Sequence, residues 1–139
     1  MNKFFQFNEF VELGKVFKDC EAYLIALENF NRAIALSYLP INKERLVEAY
    51  DLRGHTKILL KRYTEVIEDA TKAIDLNPDE PTHFKLRGCA YHHLNIQKKA
   101  IEDVNKAIDL NPNEPQHFRL RGDASFHLKD YKKAVEDAI

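Results

Sequence analysis

The chain has 139 residues, 45% of them hydrophobic and 31% charged, and its 21 Lys and Arg against 22 Asp and Glu leave a net charge of -1. That balance suits one compact domain or a short repeat array and excludes a disordered chain. It also lacks the basic excess of a nucleic-acid binder or a membrane-surface protein.

Cys20 and Cys89 match no metal or redox spacing, which leaves each as a small hydrophobe or a spare thiol in a reducing compartment. Lys3 is followed by no apolar run, so the start does not read as a secretory signal. No stretch approaches the roughly 20 apolar residues that span a bilayer. The expected location is cytoplasmic, away from membranes.

Three strings recur at one interval. Leu52-Arg53-Gly54 returns as Leu86-Arg87-Gly88 and Leu120-Arg121-Gly122, each 34 positions on. Ala73-Ile74-Asp75-Leu76-Asn77-Pro78 returns as Ala107 to Pro112, and Ile67-Glu68-Asp69 as Ile101-Glu102-Asp103 and Val135-Glu136-Asp137. A fixed period of this length marks a stack of similar supersecondary units. In chain order the units are 7–40, 47–80, 81–114 and a partial 115–139, together forming one domain over 1–139.

The first unit ends on Ser37-Tyr38-Leu39-Pro40, and a six-residue insertion, Ile41 to Leu46, then breaks the period. The insertion either extends a helix or lengthens the turn before the second unit. In the third unit Phe84, Gly88 and Tyr91 share one face of a first helix, with Leu94 near its end. A polar turn around Asn95 to Gln97 follows, and Ala100, Val104, Ala107 and Ile108 form the stripe of a second helix. Asn111-Pro112 closes the unit, because proline has no N–H to continue the helix. Gly88 and Ala100 permit close approach of the two helices. The last unit reaches Ile139 within its second helix, which would leave an apolar stacking face uncapped.

These residues resemble the tetratricopeptide repeat family, whose signature runs aromatic, Leu-Gly, aromatic, Ala-x-x-x-aromatic, Ala and Pro. Phe10, Leu13, Gly14, Phe17, Ala26, Phe30 and Ala33 fit it in order. The second unit carries Tyr50, Gly54, Ala73 and Pro78, but has Lys57 in an aromatic slot, Val66 in an alanine slot and Ala70 in the second aromatic slot. The last carries Phe118, Gly122, Tyr131 and Ala134, with Ser125 where an aromatic is usual. The resemblance implies an all-α, right-handed solenoid of antiparallel helix hairpins: three full repeats and one partial repeat. It also implies that the first helix of each unit lines a concave groove. Such a strip suits a peptide or partner helix.

Removing the packing positions leaves Val11, Lys15 and Lys18 as the expected lining in the first unit, and Asp51, His55 and Ile58 in the second. Lys85, Cys89, His92 and His93 follow in the third, then Arg119, Asp123, Phe126 and His127. The mixed charge suits a partner segment of intermediate polarity. Relatives that clamp a chaperone's C-terminal carboxylate use Lys, Asn and Arg in defined slots. Those slots here hold Val11, Lys15, Leu52, Thr82 and Leu86, or one unit later Asp51, His55, Leu86, Gln116 and Leu120. Neither set supplies the cations a carboxylate needs.

The ladder Arg53, Arg87, Arg121 could bind phosphates. Because Asp69, Asp103 and Asp137 recur with the same period, an ion pair within each repeat explains it better. Cys89, His93, Asp123 and His127 have i,i+4 spacing that a zinc site could use. The repeat copies such slots for packing anyway, so no metal or cofactor is expected. His83 and His117 read as surface or inter-repeat packing residues.

No phosphate loop, nucleophile elbow or paired catalytic carboxylates are present in the sequence, and the reading is not an enzyme. The expected function is a protein-interaction adaptor or scaffold. The alternative is self-association through the end at Ala138 and Ile139; an RNA-binding helical repeat is a weaker reading, and no nucleic-acid partner is expected.

Overall fold

The computed structural model describes the backbone of residues 2–137 and the side chains of residues 2–127 and 129. Its elements are α1 (Lys3–Asp19), α2 (Tyr23–Ala35), α3 (Lys43–Leu59), α4 (Tyr63–Leu76), α5 (Pro81–His93), α6 (Gln97–Leu110) and α7 (Pro115–Asp137). Among the described residues all regular structure is helical. The chain divides into two compact units, Met1–Pro78 and Asp79–Ile139.

Helix starts follow local chemistry. Asn2 and Asn42 accept backbone N–H bonds from Phe4 (2.9 Å) and Glu44 (2.9 Å), satisfying donors that the first helical turn leaves open. Pro81 and Pro115 occupy first helical positions, where a missing N–H costs nothing.

Three hairpin turns share one device. Glu21, Lys61 and Asn95 adopt φ of 61°, 59° and 62°. Each allows the next residue's N–H to reach back five positions, Ala22 to Phe17, Arg62 to Lys57 and Ile96 to Tyr91, at 2.8, 2.9 and 2.9 Å. These bonds satisfy carbonyls at the end of the preceding helix.

In the first unit, the ring of Phe30 on α2 lies over Gly14 on α1, where a Cβ would stand 2.3 Å from its Cε1. Phe7 and Val11 on α1, Ala33 on α2 and Ala49 on α3 form one core cluster, edged by Phe10, Ile34, Ile41, Leu46 and Leu52. Small residues at Ala33 and Ala49 let α2 and α3 pack closely. The insertion therefore has a definite place: Ile41 joins this core, Asn42 caps α3, and Lys43 to Leu46 form its first turn. In consequence α3 has 17 residues against 13 for α5.

In the second unit α5 packs on α6, and α6 on α7. Ala90, Ala100, Val104, Ala107 and Ala124 are fully buried, with Gly88 set against Val104 and Ala100. One expectation needs correcting. α7 runs unbroken for 23 residues, Pro115–Asp137, instead of turning into a second helix. Lys129, which aligns with the turn residue Asn95, is helical, and residues 128–130 contain no Gly, Asn or Pro to stop the helix. The signature residues Tyr131 and Ala134 and the end residues Ala138 and Ile139 lie outside the described side chains.

Candidate peptide-binding surface

Arg53 and Arg87 are not poised for a ligand. Arg53 grips Asp69 with Nε at 3.0 Å and Nη2 at 2.7 Å, and Arg87 grips Asp103 with both contacts at 2.8 Å. Both carboxylates are buried, and two parallel charge-assisted bonds from a planar fork fix the angle between the paired helices. The partner expected for Arg121, Asp137, lies outside the described side chains; Arg121 donates to Asn105 on α6 at 3.3 Å. Arg53 likewise donates to Asn31 on α2 at 3.1 Å. Each arginine also lies over the aromatic ring three residues before it, Tyr50, Phe84 or Phe118, at 5.2–5.8 Å.

Lys57, which occupies an aromatic slot of the signature, is buried rather than exposed. Its stem fills the aromatic's space while its ammonium meets Asp69 at 3.0 Å and Glu65 at 3.7 Å.

In the first unit, α1 and α3 lie side by side and their polar faces interlock. Lys15 on α1 contacts Glu48 on α3 at 3.2 Å and Glu12 at 3.4 Å. Arg45 on α3 reaches Glu12 (3.4 Å), Glu48 (2.5 Å) and Asn8 (3.1 Å). The hydrogen bond to Glu48 is the main reason that the Lys15 ammonium titrates above its ordinary range; Glu12 adds to it, against a smaller desolvation effect. Farther along α3, Asp51 and His55 are half-buried, with His55 Nδ1 at 2.9 Å from the Asp51 carbonyl oxygen and 3.5 Å from its carboxylate. Val11 departs from expectation. It is fully buried in the core cluster and lines nothing, because its apolar side chain packs toward Ala33 and Ala49. Lys18 and Ile58 are half-buried.

In the second unit the analogous pair of helices is α5 and α7. Lys85 donates to Gln116, which occupies the slot that Glu48 fills in the first unit. Cys89 is half-buried, its Sγ 3.8 Å from His93 Nδ1, and burial pushes the thiol up, with Lys85 opposing to a lesser degree. His92 and His127 face each other across the two helices with ring centroids 5.2 Å apart, and Phe126 stands against His127 at 6.0 Å. Gln97 holds His92 Nδ1 at 2.9 Å, and the Cys89 carbonyl holds His93 Nδ1 at 2.8 Å. Arg119, Asp123 and Phe126 are exposed. Among the described residues no three His, Cys, Asp or Glu side chains converge on a metal position, so Cys89, His93, Asp123 and His127 are not gathered into one. His83 and His117 are buried packing residues.

Asn8, Glu12, Arg45 and Glu48 belong to this surface and escape a reading by motif. Arg45 lies in the insertion, where the period gives no register. Glu48 has a signal in hindsight: its equivalents Thr82 and Gln116 repeat a polar side chain at the start of each first helix.

The tetratricopeptide repeat profile matches residues 47–80 and 86–114. No curated protein sequence matches the chain. Among solved structures, the TPR domain of Arabidopsis OM64 is similar over 91% of this chain and 99% of its own, at 19% identity and a TM-score of 0.80. The Saccharomyces cerevisiae Hsp90 co-chaperone Cns1 is similar over 95% of this chain at 20% identity and a TM-score of 0.86; this chain spans 42% of that one. The second TPR domain of human RPAP3, solved in complex with an HSP70 peptide, is similar over 87% of this chain and 96% of its own, at 23% identity and a TM-score of 0.75. No helix among the described residues is long and apolar enough to cross a membrane. The internal 34-residue period, the helix hairpins with their shared turns, the profile match and the folds of these neighbours agree: residues 47–80 and 86–114 are tetratricopeptide repeats, and the chain has the fold of a tetratricopeptide repeat domain.

Proposed function

We propose that this protein is an adaptor whose first helices hold a segment of another protein, with repeat units at 7–40, 47–80, 81–114 and 115–139. The observation that carries this reading is the side-by-side placement of first helices within each compact unit, α1 with α3 and α5 with α7. These pairs present Lys15, Asp51 and His55 in one unit and Lys85, Cys89, His92, His93, Arg119, Asp123 and His127 in the other. An extended strip of mixed polar groups above a packed apolar layer is what a peptide backbone and a few anchoring side chains require. The HSP70 peptide bound by human RPAP3 supports peptide holding as a use of this fold.

The segment held here differs in chemistry from a chaperone tail with a terminal carboxylate. In the slots that would seat such a carboxylate, Val11 and Leu86 are buried apolar residues and Lys15 is already engaged by Glu48 and Glu12. A segment of intermediate polarity fits better, meeting Lys85 and Arg119 with acceptors and Phe126 with an apolar side chain.

Affinity capture from extract of the source cells, with wild type beside Lys85→Glu/Arg119→Glu, tests the reading. Both side chains stand outside the core, so the variant keeps its fold, which circular dichroism verifies. Loss of captured proteins from the variant is the expected result. The same set of proteins on both baits would rule out this face of α5 and α7.

A further inference from the structure

The third repeat departs from the others at two slots whose side chains touch. Where the other repeats have Tyr23, Tyr63 and Tyr131, the third has Gln97; where they have Lys18, Ile58 and Phe126, it has His92. Gln97 is only 6% exposed, and its amide is committed at both ends. Nε2 donates to the His92 carbonyl oxygen at 3.3 Å, and Oε1 lies 2.9 Å from His92 Nδ1. A carbonyl oxygen only accepts, which fixes the amide's orientation, so the proton shared with Oε1 sits on His92 Nδ1. The neutral ring therefore keeps its lone pair on Nε2. The charged ring gains a second donor there without breaking either bond.

His127 of α7 faces this ring, with centroids 5.2 Å apart and planes tilted by 52°. His93 meets His92 edge-on at 5.7 Å, its own Nδ1 held by the Cys89 carbonyl. The other neighbours leave a positive charge here uncompensated. From α6 come the neutral Gln97 and Lys99, which is turned to the Tyr91 ring at 5.6 Å. On α5, Lys85 lies two turns before His92, with Cys89 between them, its thiol kept neutral by burial. α7 brings Arg119 and one carboxylate, Asp123, a turn before His127. Among the described residues no carboxylate pairs with His92 or His127, whereas His55 on α3 has Asp51 at 3.5 Å. Two cations about 5 Å apart repel, and an anion set against both removes that cost.

We propose that His92 and His127 form a proton-dependent anion site, in which a side-chain carboxylate of the held segment docks against the two imidazolium rings. This deepens the groove reading and rests on it. Docking takes up protons at Nε2 of His92 and at His127, so by linkage the affinity for an acidic segment rises as the pH falls. Lys85 and Arg119, nearer the starts of the same two helices, attract that segment at every pH. The site needs no terminal carboxylate.

The test uses a synthetic peptide of about eight alternating Glu and Ser residues, acetylated and amidated so that it has no charged ends. At about 3.3 Å per residue it covers the roughly 10 Å between the levels of Lys85 and His92. Fluorescence anisotropy measures its affinity for the full chain at about pH 8 and about pH 5.5, where glutamates stay ionised. Binding is expected to be about tenfold tighter at the lower pH. His92→Gln/His127→Gln, two changes outside the core, should remove that gain and leave binding at about pH 8 unchanged. Long-range 15N spectra should show neutral His92 with its proton on Nδ1. Equal affinity at the two pH values would overturn the proposal, as would a gain that survives in the double variant. So would the same gain for a peptide with Gln in place of Glu. Any of these, with capture still lost from Lys85→Glu/Arg119→Glu, would refute the proton-dependent site and leave the groove reading standing.

Discussion

Arg53 closes a two-pronged grip on Asp69, sixteen residues further on, and Arg87 repeats the grip on Asp103. The carboxylates are buried and their arginines largely so, which makes the sign of any substitution depend on what is left behind. A buried pair adds little net stability over an apolar pair of similar shape, but a lone buried charge is expensive. The first repeat shows an uncharged solution, Leu13 with Asn29, whose amide bonds the Ile25 carbonyl.

The prediction for Arg87 follows directly. Arg87→Leu strands the Asp103 carboxylate and should cost about 3–5 kcal/mol. Arg87→Leu/Asp103→Asn, which installs the first repeat's pair, should recover most of that loss, because the amide can bond the Lys99 carbonyl as Asn29 bonds that of Ile25. Urea denaturation of the wild type, both single variants and the double variant closes the cycle. Additive losses would mean that the two side chains do not act as a pair. In the second repeat, Asp69→Ala should be the more damaging change, since it strands both Arg53 and the buried Lys57.

Glycine substitutions separate three environments in one repeat slot. An alanine Cβ at Gly14 would lie 2.3–2.7 Å from three ring carbons of Phe30, so the ring must move; overpacking of this kind costs about 1–3 kcal/mol. At Gly88 the nearest atoms are Val104 Cγ2 at 3.1 Å and the Ala100 carbonyl oxygen at 3.3 Å. There the crowding is offset by the roughly 1 kcal/mol helix preference of alanine, and Gly88→Ala should be close to neutral. At Gly122 a Cβ meets nothing within 4 Å, and Gly122→Ala should stabilise α7 by about 1 kcal/mol. Thermal unfolding of the three variants gives the order. A destabilising Gly122→Ala would show that α7 folds back into a hairpin after all.

Much of this was legible because the sequence repeats itself. The arginine–aspartate pairs could be read since both partners recur at one period, and the helices of the third unit since Pro112 and the small residues bound them. A slot's usual character has to be weighed against the residue in it. Val11 shares its slot with Asp51, Lys85 and Arg119, which predicts a lining residue, yet an apolar side chain turns to the core. Lys57 occupies an aromatic slot and is buried there all the same, because Asp69 and Glu65 satisfy its charge. The unbroken α7 was hidden for the opposite reason: the period predicts a turn at Lys129, while no residue at 128–130 enforces one. The Glu12–Lys15–Arg45–Glu48 network depends on the register of the insertion, which periodicity leaves undefined.

The two thiols should react in sequence. Cys20 is exposed, whereas Cys89 is half-buried and its thiol is raised by that burial. The thiolate is the nucleophile, so at pH 7.5 iodoacetamide should modify Cys20 well before Cys89. For Cys89 the rate should climb only at a pH above the ordinary thiol range. Lys85 acts in the opposite direction, and Lys85→Ala should slow Cys89 further. Peptide mass spectrometry over a time course reads both sites in one sample. Faster labelling of Cys89 than of Cys20 would contradict the assigned burial.

Asn42 offers a test of the inserted segment. Its Oδ1 accepts from Glu44 N at 2.9 Å and Arg45 N at 3.3 Å, and the turn it starts carries Arg45 into the network with Glu12 and Glu48. Removing a cap of this type costs about 1 kcal/mol. Asn42→Ala should therefore lower stability by about that amount, whereas Asn42→Asp should keep the cap and favour the positive end of the α3 dipole. The consequence extends to α1, because fraying of the first turn of α3 loosens the Arg45 contacts that join the two helices. Hydrogen exchange should accordingly speed up in Asn42→Ala at Glu44 to Val47 and, to a smaller extent, near Glu12. Faster exchange restricted to α3 would mean that the ion-pair network contributes nothing to holding α1 in place.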